Sequence, residues 1–407
     1  MDYDFRTQEE RRVAALWSSI GLFLVLIVAV AVGWFLVNKI KNTRREFGGK
    51  LLLVPAPVKE FPSLPMVEQK PKIVWEFKPG PISMDTIKKK GCVADGFLSE
   101  YGENTDEMVK LIDRSECVYL HRAMETWLKP PDFSDALDIM MQVKKKQVIY
   151  GMFLAEAITS NKEYDDPIED KEYHFSDMCR AGTDGRWGPN TCVPSIQKVE
   201  YRRYLRAVTR RAMDLGIQSF LFGQIVLQDE NPTYAGTEIE KVIKDMRDYA
   251  KKKKMQIIIG GQTDSITDER YLRMFDYVEG GLGLGEDGRI EMGECWSRMS
   301  NCWALLWHDK YRNQANNTLL HLDWSGLVWD DMGVFTRMDH DRRVERLNYL
   351  YNFFTSRDMG FMMPFLAVIN HENGGCYGPN KSFYSPSNKY KCKDENDINK
   401  IMRGSYK

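Results

Sequence analysis

Two short runs end an apolar stretch on a carboxylate. "QVIYGMFLAEAI", residues 147–158, reaches Glu156 near its close, and "TLLHLDW", 318–324, reaches Asp323 with Trp324 beside it. A third run, "IQSFLFGQIV" at 217–226, is followed at once by Asp229 and Glu230. Two carboxyl groups flanking a bound sugar can cleave a glycosidic bond. One protonates the leaving oxygen, and the other attacks the anomeric carbon or activates water. Glu156 and Asp323 are the expected pair, with Asp229 or Glu230 substituting for Glu156 if the fourth strand supplies the acid. Tyr101, Trp187, Trp324 and Trp329 offer flat faces on which sugar rings can lie. Each Trp also has an ordinary packing role open to it, and each carboxylate a capping role.

These residues must be held by something regular. Eight short apolar runs recur from Gly91 onward, at 92–102, 117–122, 147–158, 217–226, 255–262, 275–283, 318–324 and 360–370. Amphipathic stretches separate them, among them 105–113, 133–146, 196–215, 237–253, 268–274, 303–313 and 342–357. Strands alternating with helices imply β-α units and a parallel sheet. Eight such units predict an α/β fold of the (β/α)8 TIM-barrel class, with a doubly wound open sheet as the alternative. Barrel strands alternate between interior and helix-facing positions. On that alternation Glu100 is set in phase with Leu98, His121 with Tyr119, Glu156 with Leu154 and Met152, and Gln224 with Phe222 and Phe220. Gln262, Glu279, His321, Asp323 and His371 complete a ring of polar residues at the strand ends. Glu100, Tyr101, His121, Gln224, Gln262, Trp324, Trp329 and His371 are the expected substrate-binding residues. His321 reads as a hydrogen-bonded core histidine. The segment 159–194 is an enlarged loop on the face where such barrels keep their sites.

With "YGMFLAEAI", "LLHLDWSG" and a mouth rich in carboxylates, residues 91–375 resemble the TIM-barrel glycoside hydrolases in the broad sense, with no specific family indicated. In the largest clan of those enzymes the acid/base Glu follows strand four and the nucleophile Glu ends strand seven. This sequence has Gln224, then Asp229 and Glu230, at the first position and Asp323 at the second. The resemblance therefore implies either hydrolysis of a cell-surface or extracellular polysaccharide, or a barrel that binds a glycan or an envelope partner without turnover.

The remaining chain bounds the setting. Of 407 residues, 57 are Lys or Arg and 58 Asp or Glu, so no basic field exists to attract nucleic acid. There is no H-E-x-x-H, no nucleophile elbow and no P-loop, and neither a metal nor a cofactor is expected. Leu16 to Val37 is an uncharged run with Trp17 and Trp34 near its ends. At about 1.5 Å per residue it reaches roughly 33 Å, the thickness of a bilayer core. It reads as a transmembrane anchor; a cleaved signal peptide would have a shorter apolar region. The expected organisation is a tail at 1–15, the anchor at 16–37, a juxtamembrane and Pro-rich stalk at 38–90, and a barrel domain at 91–407. Flanking Lys and Arg place that domain in the cytoplasm by the positive-inside rule. The cysteines oppose this. Cys92 with Cys117, Cys179 with Cys192, Cys295 with Cys302 and Cys376 with Cys392 form local pairs that suit disulfides, and hence an extracytoplasmic, single-pass arrangement.

Overall fold

A computed structural model describes residues 79–166, 171–232, 237–264, 266–285, 287–290, 313–324, 330–369 and 374–406. The expected tail, the anchor and most of the stalk lie outside these residues, as do Cys295, Cys302, Trp329, His371 and the expected helix at 303–312. No helix among the described residues is long and apolar enough to cross a membrane.

The described residues build an α/β fold around a curled parallel sheet. Its strands in chain order are Gly91–Ala94, Tyr119–Glu125, Ile149–Leu154, Ser219–Phe222, Ile258–Gln262, Tyr277–Gly281 and Thr318–His321. Each pairs in parallel with the next. The eighth run carries two strands separated by Met362. Gly360–Phe361 pairs with the seventh strand, and Met363–Val368 pairs with the first, so this one run bonds to both edges of the sheet. Helices at Thr105–Arg114, Phe133–Gln142, Val199–Leu215, Glu238–Lys252, Glu269–Leu272, Asp331–Arg337 and His340–Thr355 cover the outside.

The helices follow from their apolar spacing. In Val199–Leu215 the buried residues Tyr201, Tyr204, Leu205, Val208, Ala212 and Met213 recur every three or four positions. Gly216, at φ 97°, then ends the helix in the left-handed conformation that glycine takes without a steric penalty. Asp132 and Asp339 cap the helices that follow them by accepting backbone N–H bonds.

Two apolar cores result. One lies between sheet and helices. The other fills the inside of the sheet with Val93, Tyr119, Ile149, Phe153, Leu221, Ile258, Tyr277, Leu319 and Met362. Burying each such side chain contributes about 1.5–3 kcal/mol. Gly260 makes room for this core, because a Cβ there would sit 2.2 Å from the Tyr277 ring.

Several expectations change. The end of the expected stalk is a helix, Met84–Lys90, whose Ile87 is fully buried in the inner core. The first strand stops at Ala94, since Gly96 and Glu100 both take left-handed backbone angles. The second strand runs on to Glu125 through an irregular register, with Arg122 at φ 56°. In the third and fourth strands the alternation is the reverse of that expected. Phe153 and Leu221 face inward, while Met152, Leu154, Phe220 and Phe222 pack under the helices. Glu156 and Gln224 reach the mouth because the chain turns after Leu154 and Phe222, not because they are in phase with those residues. The loop 159–194 holds a small antiparallel pair, Ile158–Thr159 with Thr191–Cys192. Disulfides join Cys92 to Cys117, Cys179 to Cys192 and Cys376 to Cys392.

Candidate active site

At the C-terminal ends of the strands lies a cavity of about 220 Å³. Glu125, Glu156, Asp323, Arg122, Gln224 and Gln262 supply its polar lining. Tyr101, Trp127, Phe153, Trp187 and Trp324 supply its apolar walls. Among the sequence candidates, the cavity thus brings together Glu156, Asp323, Tyr101, Gln224, Gln262 and Trp324.

Glu156 is 2% exposed. Its Oε1 accepts from Gln224 Nε2 at 2.7 Å, while its Oε2 is buried without a hydrogen-bond partner. Burial pushes its pKa up to about 7, against the pull of the neighbouring hydrogen bonds and Arg122; the Asp323 charge adds to the rise. Gly223 leaves the space for this carboxyl, since a Cβ there would lie 2.4 Å from Oε2 and 2.3 Å from the Phe153 ring. Gln224 is itself held in an unusual conformation, φ 27° and ψ 61°, its backbone N–H donating to Gln262 Oε1 at 3.1 Å.

Asp323 sits in a different environment. Its Oδ1 is 3.4 Å from His321 Nε2, and His321 Nδ1 is 2.8 Å from Glu279 Oε1. Burial would lower the His321 pKa, but the charges of Glu279 and Asp323 raise it to about 10. Burial alone would raise Glu279; the close charge of His321 and the hydrogen bond from His121 hold it well below the usual carboxylate range. The two carboxylate neighbours of His321 thus favour the charged form of its imidazole. The backbone at Asp323 is fixed by Asp331, whose carboxylate also accepts from Leu282, Gly283 and Leu284.

A second acidic group lies across the mouth. Arg122 bridges Asp95 at 3.1 Å and Glu125 at 3.4 Å, and its guanidinium stacks 4.1 Å above the Phe153 ring. Trp324 Nε1 donates to Asp95 Oδ2 at 2.6 Å. Burial, with repulsion from Asp95 and Glu156, raises Glu125 despite Arg122. Asp264, just past the fifth strand at φ 45°, is pushed up to about 8 by burial and by repulsion from Glu156, Asp323 and Glu279. Arg122, Gln224 and Asp264 are thus three non-glycine residues in left-handed backbone conformations around one mouth. Such conformations cost about 1–3 kcal/mol each and collect at functional sites.

Four sequence candidates lie elsewhere. Asp229 is buried behind the sheet, accepting from Gln197 Nε2 at 2.6 Å and from the Tyr271 hydroxyl at 2.9 Å. Glu230 is exposed and accepts from Ser195 Oγ. The short helix Ile225–Gln228 carries both away from the cavity. Glu100 is exposed and accepts from Thr105 Oγ1. His121 is fully buried below the cavity floor, between Tyr119 and Glu279. Sequence reasoning missed Asp95, Arg122, Glu125, Trp127 and Asp264. Asp95 directly follows the first apolar run. The apolar Ala123 and Met124, continuing past Arg122, are the signal that the second strand runs on to Glu125.

No protein-family model matches the chain, and no curated protein matches it. Several solved structures match the chain in part. The cyclic α-maltosyl-(1→6)-maltose hydrolase of Arthrobacter globiformis is 13% identical with a TM-score of 0.43, the match covering 77% of this chain and 76% of that one. A GH27 β-L-arabinopyranosidase of Geobacillus stearothermophilus is 12% identical with a TM-score of 0.37, covering 67% and 69%. The histamine dehydrogenase of Rhizobium sp. 4-9 is 10% identical with a TM-score of 0.38, covering 66% of this chain and 41% of that one.

Proposed function

We propose that the chain is a glycan-acting hydrolase built on a (β/α)8 domain, with Glu156 as general acid and Asp323 as the second carboxylate. The observation that carries this is the contrast between two carboxyl groups lining one cavity. Glu156 is buried with an unpaired oxygen and its pKa pushed up to about 7, whereas Asp323 faces the His321 imidazole. Environments that push two groups apart in this way divide acid from base. Glu156 gives its proton to the leaving oxygen, which keeps the electron pair of the broken C–O bond. Asp323 then takes a proton from the water that bonds to the anomeric carbon. In the two-step alternative it bonds that carbon itself, and water displaces it while Glu156 takes back a proton. Trp127, Trp187 and Trp324 provide faces for the sugar rings, and Gln262 and Gln224 provide amides for their hydroxyls.

The run 16–37 anchors the protein in a membrane, and the disulfides favour an extracytoplasmic domain acting on a cell-surface or extracellular polysaccharide. Binding without turnover is the second reading. It is favoured by Gln224, an amide that bonds Glu156 where the largest clan places its acid. A glycan array that follows both retention and product release, with the full chain beside Glu156→Gln and Asp323→Asn, tests the choice. Product from the wild type alone supports hydrolysis. Equal retention by all three without product supports the binding reading.

A further inference from the structure

The inner core of the sheet is not purely apolar. A connected set of polar side chains rises through it to the mouth. The Tyr277 hydroxyl is 3.4 Å from Ser219 Oγ, which is 3.0 Å from the Tyr119 hydroxyl. Tyr119 reaches His121 Nδ1 at 2.8 Å, and His121 Nε2 reaches Glu279 Oε1 at 3.2 Å. The same Glu279 oxygen lies 2.8 Å from His321 Nδ1, and His321 Nε2 lies 3.4 Å from Asp323 Oδ1. Tyr119, Ser219, Tyr277, His121, Glu279 and His321 are each at most 1% exposed. Buried polar groups are costly unless they are paired, so a row of six inside a small barrel calls for a reason.

We propose that Glu279 and His321 are positioning residues: Glu279 pairs with the buried His321 ring, and that ring aims the Asp323 carboxylate into the cavity. This deepens the hydrolase reading, since it rests on Asp323 being the second carboxylate. Neither residue lines the cavity, so neither touches substrate. Their effect passes through one contact, His321 to Asp323. Glu156 has no such partner and burial raises its pKa, so the two carboxyl groups divide their work.

The groups around the relay agree in sign. His321 is faced by Glu279 and Asp323, and by His121, whose ring centre is 6.1 Å away. Burial and the charges of His321 and Arg122 lower the His121 pKa despite Glu279, so one Glu279 charge serves one cation. The Asp323 charge in turn raises Glu156, Asp264 and Asp331, so His321 stands on the one side of Asp323 that is not lined by carboxyl groups.

The experiment is NMR of the full chain with ¹⁵N-labelled histidine. Comparison of wild type, Glu279→Gln and Asp323→Asn assigns the signals. His321 is expected to stay an imidazolium through pH 8 in the wild type. In Glu279→Gln its midpoint drops by about one pH unit or more. A neutral His321 at pH 7 in the wild type overturns the proposal, as does an unmoved His321 midpoint in folded Glu279→Gln. If that variant does not fold, Asp323→Asn decides: the His321 midpoint must fall when its anionic neighbour is removed, and an unmoved midpoint overturns the coupling. In turnover, Glu279→Gln lowers kcat while KM is kept, and an unchanged kcat in the folded variant overturns the positioning role. A wild type without turnover but with His321 charged contradicts the hydrolase reading and leaves the relay standing.

Discussion

The indole nitrogen of Trp187 donates to the backbone carbonyl of Glu156 across 3.0 Å. One residue belongs to the loop closed by Cys179 and Cys192, the other to the end of the third strand, so the disulfide loop is tied directly to the candidate acid. Trp187 also meets Trp127 edge to face, with ring centres 5.3 Å apart, and the two form one wall of the cavity.

Replacing both Cys179 and Cys192 with Ser removes the clamp on this wall. Closing a loop of this size stabilises a protein by roughly 3 kcal/mol. Thermal unfolding should show most of that loss. Glycan KM should rise with a smaller change in kcat, because the carboxylates themselves are not moved. Steady-state kinetics at a temperature where the variant is folded checks the split.

The pH dependence of Glu156 has two readouts with a common sign. A general acid must be protonated, so turnover should fall as pH rises through about 7. For stability, the folded-state value lies above the unfolded one near 4.5. The stabilisation that Glu156 contributes is therefore complete below pH 4.5 and lost as pH rises through about 7. Glu156→Gln should remove this term, on the order of 3 kcal/mol, and so be more stable than wild type at pH 8. Denaturant unfolding at pH 5 and pH 8 measures it. A variant less stable than wild type at pH 8 contradicts the raised value.

Gly223 sets the space for the Glu156 carboxyl. An alanine there would press on the Glu156 oxygen and the Phe153 ring together. Overpacking of this kind costs about 1–3 kcal/mol. Gly223→Ala should fold but lose far more turnover than stability, which parallel activity and melting measurements would show.

The two acids after the fourth strand provide a control. Glu230→Gln should keep turnover within about threefold, since the change touches only a part-buried bond to Ser195 outside the cavity. Asp229→Asn should lower stability by about 1–3 kcal/mol through its buried bonds to Gln197 and Tyr271, yet keep the chemistry. If either abolishes turnover in a folded protein, the acid is misassigned.

The alternation of apolar runs and helices revealed the parallel sheet, because burial on both faces leaves near-continuous apolar strands in the sequence. The inward set was legible where strands are straight. Tyr119 and His121 share a face as expected. It was not legible where the chain turns. Glu156 and Gln224 reach the mouth through bends that no period encodes. Glu125 escaped because the left-handed Arg122 breaks the register of its strand. Asp229 and Glu230 looked equivalent to Glu156 in sequence, and a single short helix takes them away. The three described disulfides could be read as local pairs because each closes a short segment of 13 to 25 residues.

The paired-carboxylate assignment is tested most directly by following reducing-end release from a polysaccharide panel by the full chain, Glu156→Gln and Asp323→Asn at pH 6. Release by the wild type, reduced about 10²–10⁴-fold in each folded variant, is the predicted result. Release that survives in either variant, or a wild type inert toward every glycan it binds, would contradict it.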